Sequence, residues 1–399
     1  MHRSRLMVVS FLITTGLLVA AVAGASPASS ASSVIPQAAV KDRSVCKHAH
    51  RARARCLAIR VDHIRRGRVR HESTPVGYGP ADLQAAYSLP STTAGAGETV
   101  AVIDAYDDPN AARDLSVYRA QYGLPPCTTT SGCFRKVDQT GARNYPDPDG
   151  GWAQEISLDL DMVSATCPRC HVLLVEADTA SMANLGAAVD TAVRLGANAV
   201  SNSYGGPDAS DRSYGRYYHH PGVAITASAG DSGYGVEYPA SSKWVTAVGG
   251  TTLTRSSAGR GFTETAWTDT GSGCSSMNAT PWQPMSITGC GGRAVADVAA
   301  VADPATGVAV YDSYAFESTS GWLTFGGTSA AAPIIAAVYA LAGNTSDVND
   351  GSYLWAHHAS LRDVTSGSNG DCTTAQWCTA RHGWDGPTGW GTPDGTGAF

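Results

Sequence analysis

Residues 326–341 read Gly-Gly-Thr-Ser-Ala-Ala-Ala-Pro-Ile-Ile-Ala-Ala-Val-Tyr-Ala-Leu. A run this rich in alanine and aliphatic residues, with no charge, predicts a helix buried in a protein core. The two glycines ahead of it place Ser329 at the helix start. There its hydroxyl lies near unpaired backbone N–H groups and the positive end of the helix dipole, which favour negative charge developing at an attacked carbonyl. A plainer role, in which Thr328 or Ser329 caps the helix, is open at this point.

Working outward, the chain alternates between apolar runs and helical stretches. Thr99 to Ile103, His171 to Glu176, Ala197 to Ser201 and Val223 to Ser228 read as strands; Ala111 to Tyr122, Trp152 to Ala165 and Ala180 to Leu195 read as helices. Continuous apolar strands separated by helices predict an α/β fold, a parallel sheet with helices on both faces. Further strands are expected at Trp244 to Val248 and Thr263 to Trp267. Ligands in such sheets sit beyond the carboxyl ends of the strands.

The ends of the chain differ in character. Arg3 and Arg5, an apolar run from Leu6 and small residues near Ala25 have the layout of a secretory signal peptide over residues 1–25. Residues 26–75 are Ser/Ala-rich and then arginine-rich, and are expected to be a linker or short prosegment; the globular domain is expected over 76–399. Residues 1–72 hold 13 of the 28 Lys and Arg but three of the 34 acids, leaving 15 basic residues against 31 acidic ones in the body. An acidic body loses self-repulsion as its carboxylates protonate, which suits an acidic medium and disfavours nucleic acid as a partner. No later segment is long and apolar enough to span a bilayer, so no stable membrane association is expected.

Ten cysteines fall into local couples, 46/56, 127/133, 167/170, 274/290 and 372/378, which suits disulfides in a secreted, extracellular protein. The Cys167-Pro-Arg-Cys170 spacing also fits a redox or zinc half-site, but no second couple has ligand spacing.

A nucleophilic serine needs a base. Asp104, in Val-Ala-Val-Ile-Asp, tempts a subtilisin-like Asp-His-Ser assignment. Between Asp104 and Ser329, however, the histidines are His171, His219 and His220, and none is followed by glycine. The sequence offers Glu155 and Asp159 instead, an i, i+4 pair on one helix face. Two carboxyls in contact share a proton, and such a pair accepts a proton at acidic pH, where histidine is already charged. Asp161 is expected to be the exposed acid of this helix. Asp231, in Ser-Ala-Gly-Asp-Ser-Gly after a strand, sits in a turn at a strand tip; protonated, it can donate a hydrogen bond to an oxyanion.

Gly327-Thr328-Ser329-Ala330 resembles the nucleophile motif of subtilisin-like peptidases. Taken with Glu155, Asp159 and Asp231 in that order, the chain resembles the sedolisin family of serine-carboxyl peptidases from about Gly77 to its C-terminus. That resemblance implies a subtilisin-like fold, with Ser329 as nucleophile, Glu155 as general base and then acid, Asp159 orienting Glu155, and Asp231 as oxyanion donor. Asp104 stands where some members carry a further acid. The segments Asp363-Val364 and Arg381-His382-Gly383-Trp384-Asp385 resemble the family's calcium site, which implies that Asp363 and Asp385, with main-chain oxygens of Val364, Arg381 and Gly383, hold Ca²⁺. The large folded prodomain usual in the family has no counterpart in the short leader. The expectation is therefore a monomeric endopeptidase acting on polypeptides. A non-catalytic binding module and a tripeptidyl-type aminopeptidase are the alternatives.

Overall fold

The computed structural model describes residues 39–46, 52–65, 68–69, 72–257 and 259–399. The expected signal peptide lies outside these residues, as does the first part of the expected linker. Eight strands form the central sheet, in the order Phe262–Ala266, Thr246–Arg255, Ala224–Ser228, Ala199–Asn202, Thr99–Ala105, His171–Ala177 and Phe134–Asp138, with Val298–Val301 also paired to Thr246–Arg255. Every pairing is parallel except that of Phe262–Ala266. The central strands are enclosed along their length, which is why they read as unbroken apolar runs. The α/β architecture is thus as expected. Phe134–Asp138 had no such signal, because Arg135 and Lys136 interrupt it.

Helices Gly150–Thr166 and Thr328–Ala342 pack against each other and against the sheet, while Met182–Arg194 lies on strands His171–Ala177 and Thr99–Ala105. The Asp149 side chain starts the first of these helices, accepting from Gly151 N and Trp152 N at 3.0 Å each.

A second, antiparallel sheet contains Ala39–Ser44, Ile59–Arg65, Thr319–Gly326 and Val308–Phe316, in that order. The basic leader therefore supplies strands to the folded body: Ala39–Ser44, Ile59–Arg65, the short Arg68–Val69 beside Ile59–Arg65, and Arg55–Cys56, which pairs with Tyr204–Pro207. Its Arg60 is 1% exposed, held by Asp62 and by Gln154 Oε1 at 3.0 Å. Strand Val308–Phe316 lies over the Gly150–Thr166 helix, and together with helices Pro80–Ala86, Ala111–Gln121 and Thr328–Ala342 and the central sheet it leaves the helix buried from Gly151 to Thr166. The expectation that Asp161 is exposed is corrected by this cover: Asp161 is buried and its Oδ2 accepts from Tyr311 N at 2.9 Å.

All ten cysteines form the five local disulfides expected, so Cys167 and Cys170 are a disulfide and not a metal half-site. No helix among the described residues is long and apolar enough to cross a membrane.

Candidate active site

The Gly327 backbone, at φ 95°, turns the chain from the second sheet into the Thr328–Ala342 helix. A side chain there would collide with Leu57 O at 2.0 Å and Asp231 Oδ2 at 2.6 Å, so glycine is required and those two oxygens flank one point. Ser329 is fully buried in the first helical turn, and its Oγ donates to Ser203 O at 3.2 Å. It does not cap its helix; the cap is Gly327.

Glu155 and Asp159 face Ser329 from the Gly150–Thr166 helix, both with no exposed surface. Glu155 Oε2 accepts from Ala58 N at 2.8 Å. Its Oε1 has no hydrogen-bond partner of normal geometry, although the Ser329 hydroxyl is near enough to favour the ionised carboxylate. Asp104, at the end of strand Thr99–Ala105, completes a group of three buried carboxyls. Burial raises all three well above the ordinary carboxylate range, and the negative charge of Asp104 pushes Glu155 and Asp159 up further. No Lys, Arg or His forms an ion pair with any of them among the described residues. The low-energy state of such a cluster carries shared protons, which gives Glu155 the capacity to take one from a hydroxyl and return it.

Asp231 approaches from the other side. Its Oδ1 accepts from Thr328 N at 2.8 Å and Thr328 Oγ1 at 2.7 Å, while Oδ2 is enclosed and unpartnered. Burial outweighs those two bonds and lifts Asp231 to about 7, so below neutrality Oδ2 can carry a proton and donate it into the space beside Leu57 O. The structure thus brings together Ser329, Glu155, Asp159, Asp231 and Asp104. Thr328 and Ser203 both hold site groups in place, contacts that the sequence reading did not assign because their partners are set by tertiary structure.

The profile of the subtilase family matches residues 150–391. The chain belongs to that family. Within it the likeness is to the sedolisin type, as the resemblance implied. Kumamolisin from Bacillus sp. (strain MN-32) is 34% identical over 367 residues, covering 81% of this chain and 63% of that protein. Sedolisin from Pseudomonas sp. (strain 101) is 29% identical over 370 residues, covering 80% and 60%. The solved structure of the Pseudomonas sedolisin, a serine-carboxyl proteinase complexed with two molecules of pseudo-iodotyrostatin, superposes with a TM-score of 0.67 at 27% identity, over 81% of this chain and 96% of that one. The chain spans about three fifths of the length of the curated relatives it matches.

The loops expected to hold calcium also come together. Asp363 Oδ2 accepts from Gly383 N at 3.0 Å and faces His382 Nδ1 at 3.3 Å. Asp385 is buried, and accepts from Arg381 N, Thr388 N and Thr388 Oγ1, each at 2.9 Å. Burial raises Asp385 to about 7, against those bonds and with the Asp363 charge adding to the rise. Two carboxylates and neighbouring main-chain carbonyls are a hard all-oxygen set that fits a divalent cation. Asp394, near these loops in sequence, pairs with Arg362. A second acidic group, not foreseen from sequence, is Asp108, Asp114 and Asp312, all buried, with carboxylate oxygens within 4.8 Å of one another.

Proposed function

We propose that this chain is a secreted serine-carboxyl endopeptidase, active in acid, that hydrolyses polypeptides through an acyl-enzyme on Ser329. The observation that carries this reading is the meeting of a hydroxyl at a helix N-terminus with a buried, proton-sharing carboxyl cluster from another helix. Ser329 Oγ attacks the substrate carbonyl as its proton passes to Glu155. Asp159, with Asp104 behind it, keeps that carboxyl oriented and its proton shared. The developing oxyanion takes a hydrogen bond from protonated Asp231. Glu155 then protonates the leaving nitrogen, and water completes hydrolysis by the reverse sequence.

Support for the endopeptidase reading over the tripeptidyl one comes from the length of backbone the groove can pair: residues Ala52 to Leu57 lie along it, bonded to Ala180, Met182, Ser203 and the Tyr204–Pro207 strand. Calcium, held by Asp363 and Asp385 with carbonyls of Val364, Arg381 and Gly383, supplies a structural cross-link between the two C-terminal loops.

The test is hydrolysis of a denatured protein across pH by the wild type, Ser329→Ala and Glu155→Gln. Activity confined to acid and reduced by on the order of 10³-fold or more in both variants is expected. An optimum above neutral pH would remove the carboxylate base from consideration.

A further inference from the structure

Three carboxyls outside the catalytic group converge where a sheet strand ends, a helix begins and the covering strand passes. Asp108 follows strand Thr99–Ala105, Asp114 lies in the first turn of helix Ala111–Gln121, and Asp312 belongs to strand Val308–Phe316. All three are enclosed, and each contributes one oxygen to a set whose members lie within 4.8 Å of one another. Two oxygens bound to one calcium ion at about 2.4 Å each are at most about 4.8 Å apart, so this is the spacing of ligands around a single ion of that size.

The hydrogen bonds that hold these carboxyls come from neutral donors. Asp108 Oδ1 accepts from Asn110 N at 2.8 Å and Asp312 Oδ1 from Tyr314 N at 3.0 Å, while Asp114 accepts from Ser313 N at 2.6 Å and Ser313 Oγ at 2.8 Å. The buried Gln154 side chain is near enough to Asp312 to favour its ionised form. No Lys, Arg or His forms an ion pair with any of the three among the described residues. The Lys136 ammonium reaches the Asp108 carbonyl oxygen at 2.6 Å but pairs with Asp107 and Glu176, and Arg113 acts on Asp114 only from a distance.

Apart from this clustering, two oxygens are left over. Asp108 Oδ2 and Asp312 Oδ2 are completely enclosed and accept no hydrogen bond. A buried carboxylate oxygen without a donor is unfavourable, and so are like charges this close together. A cation at the point the three groups share relieves both. Without one, burial and the neighbouring acids push Asp108 up to about 7 and raise Asp114 and Asp312 as well.

We infer that Asp108, Asp114 and Asp312 bind a calcium ion of their own, separate from the one proposed for Asp363 and Asp385. The donors are all oxygen, with no His or Cys, which suits a hard cation. Magnesium, which holds its ligands at about 2.0–2.1 Å and keeps several waters, fits an enclosed set of three carboxylates less well. The ion ties strand Val308–Phe316, which covers the helix of Glu155 and Asp159, to the segment that follows Asp104 and to helix Ala111–Gln121. It thereby fastens the cover of the catalytic helix.

Calcium bound per chain is measured by equilibrium dialysis at pH 7.5, where the ligands can ionise. The full chain carries Ser329→Ala, so that hydrolysis plays no part, and is compared with the same chain bearing Asp363→Ala, Asp312→Asn or both. Two ions are expected in the parent, one in each single variant and none when both changes are present. Binding that vanishes with Asp363→Ala alone, or that is the same with and without Asp312→Asn, overturns the inference. Melting curves serve as a second readout that does not depend on Asp363→Ala folding. Asp312→Asn is expected to melt below the parent in calcium but no lower than the parent in chelator, because the amide removes a ligand and a repelling charge together. An equal drop under both conditions makes Asp312 a structural acid only and overturns the site.

Discussion

Thr328 holds one oxygen of Asp231 twice, through its backbone N–H at 2.8 Å and its hydroxyl at 2.7 Å, and so aims the other oxygen into the space over Gly327 beside Leu57 O. Both bonds favour the ionised carboxylate and oppose the burial that lifts Asp231 to about 7. Thr328→Val keeps the shape and removes one of them. Its expected effect is a shift of the alkaline limb of kcat to higher pH, with kcat lowered about three- to tenfold by the looser aim. An unmoved limb would show that Asp231 does not set it.

Asp231→Asn replaces a donor that exists only in acid by an amide that donates at every pH. Activity on an added peptide is expected to fall, by on the order of 10²-fold at most, while its decline above neutrality flattens. A pH profile for kcat parallel to that of the wild type counts against the oxyanion role.

The buried acids make the fold itself acid-loving. A carboxyl whose folded pKa is raised binds its proton more tightly folded than unfolded, so the stability it adds is full at low pH and is lost as pH rises through the folded value. Asp108 and Asp231 both stand at about 7, against an ordinary value near 4. With a chelator present, the melting temperature is therefore expected to drop between pH 4 and 7.5, by on the order of 5–10 °C. A flat or rising curve contradicts this.

Calcium is expected to raise the melting temperature of the wild type and a chelator to lower it by several degrees; binding at a hundredfold excess over Kd adds about 2.7 kcal/mol. Asp363→Ala should weaken both responses.

Glu237 faces Arg55 across the cleft, and both are largely shielded from solvent. In Glu237→Gln the preference for substrate peptides with arginine over those with alanine at the position Arg55 takes in the cleft, read as a ratio of kcat/KM values, should fall about tenfold. Taking the ratio cancels the small effect of Glu237 on Asp231. An unchanged ratio removes this pairing from substrate choice.

The strands that were legible in the sequence are those enclosed on both faces, Thr99–Ala105 and Ala224–Ser228 among them, because burial imposes a continuous apolar run. That Ser329 and the pair Glu155 and Asp159 belong to one site was legible because a missing histidine and an i, i+4 spacing are local facts. The leader was not. Its arginines read as a solvated tract, whereas Arg60 is enclosed with Asp62 and with Gln154, a residue 94 positions away. Asp161 misled for the same reason: the strand that covers it, Val308–Phe316, comes about 150 residues later in the chain.

Each of the five disulfides joins cysteines no more than 16 residues apart, and the first closes between Cys46 and Cys56. None of them spans position 57. A break in the backbone after that residue thus yields two separate molecules, a looped peptide and the remaining body, with no covalent link between them; strand pairing between Ala39–Ser44 and Ile59–Arg65, the Arg43 ion pairs with Asp62 and Glu317 and the cleft contacts are among what holds them together. The departing piece can dissociate on dilution, and its residence time, not any reducing agent, governs how soon the vacated groove admits another polypeptide.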